Sequence, residues 1–101
     1  RPTAIFAAND EMAFGVLKVA SQLDIKIPED LSLVSFDGTP FSSFAVPTLS
    51  TIIRSTGPMA RLATQKILAQ INGNSNDAQC FETMVSPRFV SRESTGPAPG
   101  S

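Results

Sequence analysis

Two short apolar runs, each too brief for a helix and each ended by polar residues, frame a helix-length stretch and constrain this chain more than any other feature. Thr3-Ala4-Ile5-Phe6-Ala7-Ala8 stops at Asn9-Asp10-Glu11, which reads as a helix start with acids in the first turn. A helix is expected from Asp10 to about Leu23, then a loop containing Pro28. Leu31-Ser32-Leu33-Val34-Ser35-Phe36 follows as a second strand, closed by Asp37-Gly38. Strand, helix, strand in this order is a βαβ unit, so the fold class is α/β with a parallel sheet and a right-handed crossover. Both strands then end at one edge, where open parallel sheets bind ligands, and that edge carries Asn9 and Asp37.

At 100° per residue, Met12, Ala13, Val16, Val19, Ala20 and Leu23 share a helix face expected to pack on the sheet. Phe14 falls on the opposite face beside Lys18 and Ser21, with Leu17 on the shoulder. Either it is a single exposed Phe or it contacts another chain or subdomain, as Phe41, Phe44 and Val46 in a Ser/Thr/Pro-rich loop also suggest. Asn9 suits an N-cap, and Asp37 an ordinary Asp-Gly turn. Together an amide and a carboxylate also suit bidentate hydrogen bonding to ligand hydroxyls or ring nitrogens. Arg54 is either a surface cation or the planar cation that closes such a site.

Between Thr39 and Pro58 the chain turns rich in Ser, Thr and Pro, a structured loop and crossover with Leu49–Ile53 as a possible extended piece. A second helix is expected from Ser55 or Thr56 as N-cap, through Pro58 in its first turn, to Asn72, with Gly73 as its stop. Met59, Ala60, Ala63, Ile67 and Ile71 give it one apolar face. After a polar turn, Phe81–Val85 alternates, Pro87 interrupts, and Arg88–Arg92 resumes extension. Residues 94–101, STGPAPGS, are expected to be a flexible tail.

Composition narrows the chemistry. The chain has 101 residues, room for one small core, and no His, which removes His-based catalysis and His-ligated metal. Asp10/Glu11 and Glu29/Asp30 lack a third ligand, so no metal or other cofactor is expected. Cys80 has no base to activate it, and no GxGxxG or GxxxxGK[ST] loop is present. A net charge of −1 is the opposite of a phosphate-binding stripe, and no apolar stretch spans a membrane. The chain begins with Arg rather than Met, as a fragment of a longer protein would.

Read in order, Phe6-Ala7-Ala8-Asn9-Asp10 with Met12-Ala13 and Gly15, Pro28-Glu29-Asp30-Leu31-Ser32, Phe36-Asp37, Pro47 with Leu49–Ile52, Met59 with Ala63, and Val90–Pro97 closely resemble the C-terminal part of the effector-binding core of LacI/GalR-type bacterial regulators. The resemblance implies part of a type I periplasmic-binding-protein-like fold over residues 1–93, with the helix near 57–72 belonging to the family's other subdomain. It implies effector contacts, to a sugar or nucleobase, at Asn9 and Asp37, with Arg54 near the cleft hinge where Gln is common. It also implies a dimer interface including Phe14, Leu17, Phe44 and Val46, operator DNA bound only through a helix-turn-helix outside these residues, allosteric control, a cytoplasmic location and no catalysis. Gly38, Ser35, Ile53-Arg54-Ser55 and Ala60 depart from the family pattern.

Two alternatives are half of a transport-type sugar-binding protein and a nucleotide- or sugar-phosphate-processing α/β enzyme domain. Pro-Glu-Asp-Leu-Ser and Arg-Glu-Ser-Thr-Gly-Pro favour the regulator over the first, and the missing phosphate loop and His disfavour the second. Without its family partner, the second helix is expected to hide its apolar face by self-association or by refolding onto the sheet.

Overall fold

The computed structural model describes residues 1–73 and 86–100. In chain order its elements are β1 (Ala4–Phe6), α1 (Asp10–Gln22), β2 (Ser32–Asp37), a 3-10 turn (Pro40–Ser43), β3 (Ser50–Ile53), α2 (Thr56–Ile71) and β4 (Arg88–Val90). They fall into two units, Arg1–Arg54 with Arg88–Ser101, and Ser55–Pro87.

The first unit holds the sheet, ordered β1-β2-β3-β4. β1 and β2 are parallel with Ile5 opposite Leu33, β2 and β3 are parallel with Ser35 opposite Thr51, and β4 runs antiparallel to β3. The βαβ unit is therefore present, as the two apolar runs require. Leu49–Ile53 is more than a loop excursion: its last four residues form a parallel strand. The β2-to-β3 connection is made without an α-helix, its 3-10 turn pinned by Ser42 Oγ donating to the Thr39 carbonyl and the Leu49 amide donating to the Ser42 carbonyl.

Asn9 caps α1 from an extended backbone (φ −156), its Oδ1 accepting from the Met12 amide over 2.8 Å. At the other end Asp24 takes φ 57 without glycine, and the Ile25 amide donates back to the Ala20 carbonyl.

The face that α1 buries differs from the expected one. Asp10, Ala13 and Ala20 are buried, and Phe14 and Leu17 pack against a core of Ala7, Ala13, Leu33 and Leu49. Val16 also packs there, but Met12, Val19 and Leu23 are 57%, 51% and 64% exposed. The cause is Asp10, whose carboxylate is bonded to side chains of β2 and β3 and turns the line Asp10–Ala13–Leu17–Ala20 onto the sheet. Hydrophobicity alone would turn the larger apolar side chains inward. Phe14 is thus a half-buried core neighbour, not an outward-facing residue.

The flexible tail expected from Ser94 is also corrected. Ser94 is fully buried, with its hydroxyl donating to the Leu33 carbonyl and its Oγ accepting from the Ser50 amide. Thr95 and Ser50 share a hydroxyl hydrogen bond of 2.7 Å, and the Gly96 amide donates to Ser32 Oγ. Small hydroxyl side chains at Ser32, Ser50 and Ser94 leave room for the backbone to lie against the strands and satisfy its polar groups. Arg92 adds Nη1 bonds to Ser42 Oγ and the Leu49 carbonyl.

In the second unit, α2 follows the expected boundaries, with Ser55 as N-cap, Asn72 as C-cap and Gly73 at φ 75. Among its described residues none of α2 is buried, and Met59, Ile67, Leu68 and Ile71 are exposed. Phe81–Val85 and Cys80 lie outside the described residues.

Candidate functional site

The carboxyl ends of β1 and β2 bring Asn9 and Asp37 to one cavity of about 230 Å³, lined also by Asp10, Glu11, Phe14, Thr39 and Phe41. Asn9 is there because β1 ends one turn before α1, and its capping bond occupies Oδ1. The amide Nδ2, a two-proton donor, is not used by that bond.

Asp37 is held in an uncommon backbone. Its φ is 120, followed by Gly38 at φ 66, so the chain leaves β2 through two consecutive residues in conformations that favour glycine. At Gly38 this is obligatory, since a Cβ there would stand 2.9 Å from the Ile53 Cα. For Asp37 the conformation costs on the order of 1–3 kcal/mol, a kind of strain that clusters at ligand clamps.

Arg54 meets Asp37 directly: its Nε donates to Asp37 Oδ1 over 2.9 Å, with the two side chains 46% and 26% exposed. It does not line the cavity itself. Arg54 reaches the carboxylate because β3 runs parallel beside β2 and ends at Ile53, opposite Asp37 and one residue before Arg54.

The residue that sequence reasoning missed is Asp10. Read only as an acid that complements the helix N-terminus, it is 2% exposed. Oδ1 accepts from the Ser35 hydroxyl (2.7 Å) and the Thr51 hydroxyl (3.4 Å). Oδ2 accepts from the Thr39 amide (2.7 Å) and the Thr39 hydroxyl (2.6 Å). Burial pushes this carboxyl up, but the donors of Thr39, Ser35 and Thr51 outweigh it and hold the carboxyl below its ordinary value. The available signal was a pair of hydroxyl residues, Ser35 and Thr51, inside otherwise apolar strands.

The cavity thus offers an amide and carboxylates, with Phe14 and Phe41 at its side and the Arg54 guanidinium bonded to Asp37. Such a set can accept and donate hydrogen bonds to a neutral polyhydroxyl or heterocyclic ligand. Among the described residues, no group of three metal-ligating side chains occurs, and no helix is long and apolar enough to cross a membrane. Of the residues expected at a dimer interface, Phe44 and Val46 are 75% and 90% exposed, whereas Phe14 and Leu17 are half-buried against the core.

The chain is similar to known proteins over nearly its whole length. Residues 1–95 match the family model of the periplasmic binding protein-like domain. The chain is 37% identical over 98 residues to the HTH-type transcriptional regulator MalR of Streptomyces coelicolor, covering 97% of this chain and 28% of the relative. It is 33% identical over 99 residues to the HTH-type transcriptional repressor PurR of Proteus mirabilis, covering 98% and 28%. The chain therefore spans little more than a quarter of the curated relatives it matches. Among solved structures, a LacI family regulator from Bifidobacterium animalis superposes with a TM-score of 0.88 at 36% identity, over 97% of this chain and 35% of that one. Another, from an Arthrobacter species in complex with lactose, gives 0.81 at 34% identity, over 93% and 35%. These relatives are named as regulators and repressors, not enzymes. With a match over nearly its whole length, the chain belongs to the periplasmic binding protein-like domain family, in the form carried by the effector-binding core of LacI-type transcriptional regulators.

Proposed function

We propose that this chain contributes one wall of a small-molecule effector site in a cytoplasmic LacI-type regulator. In that reading, effector binding controls operator affinity through a DNA-binding segment outside these residues. The observation that carries the reading is the placement of Asn9 and Asp37 on one cavity at the carboxyl ends of adjacent parallel strands. Asp37 accepts hydrogen bonds from ligand hydroxyls, Asn9 Nδ2 donates to a ligand oxygen, and Arg54 orients Asp37 through its Nε. The similar regulator bound to lactose, and another from Enterococcus faecium bound to ribose at 29% identity, support a sugar or sugar-containing effector.

Phe44 and Val46, exposed on the connection between β2 and β3, supply the centre of a homodimer surface, with Phe14 and Leu17 at its edge. Coupling follows from linkage: an effector that binds one subdomain arrangement more tightly shifts the population, and operator affinity changes with it.

The test is a titration of the isotope-labelled chain with lactose, ribose, glucose, adenosine and guanine, followed by backbone and side-chain amide shifts. One of these ligands is expected to move Asn9, Asp37 and Gly38 saturably, with an affinity on the order of 1 mM because only one wall is present. Shifts that are absent there, or centred elsewhere, contradict the reading.

A further inference from the structure

Asp10 is more thoroughly engaged than a helix terminus demands. A carboxylate in the first turn of a helix is favourable while exposed, and burial adds a desolvation cost to that role. Here the side chain is 2% exposed, and its two oxygens take four donors from three places: Ser35 on β2, Thr51 on β3, and both the amide and hydroxyl of Thr39 beyond β2. Four acceptances fill the lone-pair sites of a carboxylate. Although Asp10 borders the cavity, the protein itself uses its bonding capacity.

The Thr39 pair is the informative one. Thr39 lies two residues after Asp37, and the intervening backbone has φ values of 120 and 66. Such a segment persists when it is fixed on both sides. Before it, the parallel ladder places Asp37 opposite Ile53. After it, the short bonds from Thr39 to Asp10 Oδ2 hold the chain, and Thr39 then starts the 3-10 turn in an extended conformation (φ −65, ψ 159). Released at Thr39, Asp37 can relax toward an ordinary strand conformation, which changes the direction of its carboxylate and its approach to Arg54.

We propose that Asp10 is the positioning residue of the site: through Thr39 it holds Asp37 in its strained orientation, and so sets effector affinity without contacting the effector. This rests on the effector-site reading, but its first readout requires no effector.

The substitutions Asp10→Asn and Asp10→Ala separate position from charge. Asn can keep the Thr39 amide bond with Oδ1, while the Ser35 and Thr51 hydroxyls rotate to accept from Nδ2. Ala abolishes all four bonds. The readouts are the Arg54 Nε–H resonance, which reports its bond to Asp37, hydrogen exchange at the Thr39 amide, and affinity for whichever probe binds the wild-type chain. Asp10→Asn is expected to keep the Arg54 resonance and affinity within about threefold of wild type. Asp10→Ala is expected to move the Arg54 resonance toward that of free arginine, speed Thr39 exchange, and weaken binding by about tenfold or more.

A folded Asp10→Ala chain with the wild-type Arg54 resonance overturns the proposal, and so does a moved resonance with unchanged affinity. Should Asp10→Ala fail to fold, Thr39→Val, which removes one bond of the four, is expected to move the same resonance part of the way; no movement there overturns the proposal equally. If no probe binds wild type while the Arg54 resonance responds as described, the effector reading fails and the positioning of Asp37 by Asp10 stands.

Discussion

Arg54 holds Asp37 through an Nε-to-Oδ1 contact of 2.9 Å at the end of β2, where Asp37 and Gly38 both have positive φ. An ion pair this exposed contributes at most about 1 kcal/mol, less than the backbone strain beside it. The arrangement trades stability for the direction of one carboxylate.

The first prediction follows from that trade. Asp37→Gly removes the strained side chain where glycine is at ease, and so should leave urea stability unchanged or raise it by up to about 1 kcal/mol, despite losing the ion pair. A loss beyond about 1 kcal/mol would show that Asp37 stabilises the fold rather than serving the site.

Two glycines should respond in opposite directions. Gly38→Ala forces a Cβ toward Ile53 at positive φ and is expected to cost at least about 2 kcal/mol. Gly15→Ala lies inside α1 with nothing within 4 Å of the added carbon, and is expected to stabilise by about 0.5–1 kcal/mol. Urea midpoints of the two variants check both signs.

Acid should weaken the chain through Asp10. Its folded carboxyl lies below the ordinary value of 3.8, so the unfolded chain takes up the proton first as pH falls. The stabilisation is fully present above that value and is lost as pH drops through the folded value. Glu93, lowered by the amide and hydroxyl of Thr48, adds in the same direction. Asp10→Asn should flatten the stability profile below about pH 4. A wild-type slope retained in that variant would assign the acid sensitivity elsewhere.

Self-association is expected to depend on the exposed loop more than on α1. Phe44→Lys should weaken any dimer in sedimentation at several concentrations while changing stability by less than about 0.5 kcal/mol. Phe14→Lys should weaken the dimer and also destabilise by about 2–4 kcal/mol, because Phe14 packs on the core. A Phe44→Lys chain that dimerises as wild type does would remove the loop from the interface.

Much of this was legible before the structure, for identifiable reasons. Short apolar runs and polar stops fix element type, so β1, α1, β2 and α2 fell close to their expected bounds, and parallel strands put Asn9 and Asp37 at one edge. What misled was weighting hydrophobicity over hydrogen bonding. The rotation of α1 is decided by a buried carboxylate, so Met12, Val19 and Leu23 stay exposed while Phe14 packs on the core. The same kind of interaction anchors Ser94 to Gly96 in a stretch whose composition reads as a tail. Partners such as Asp10 with Thr39, 29 residues apart, leave no periodic trace in a single sequence.

We propose that Asp37 belongs to an effector site at the carboxyl edge of the sheet. Calorimetry with the ligand that the titration selects, comparing wild type with Asp37→Ala, tests it most directly. A loss of affinity of about tenfold or more is expected in a variant that remains folded. Affinity equal to wild type would contradict it.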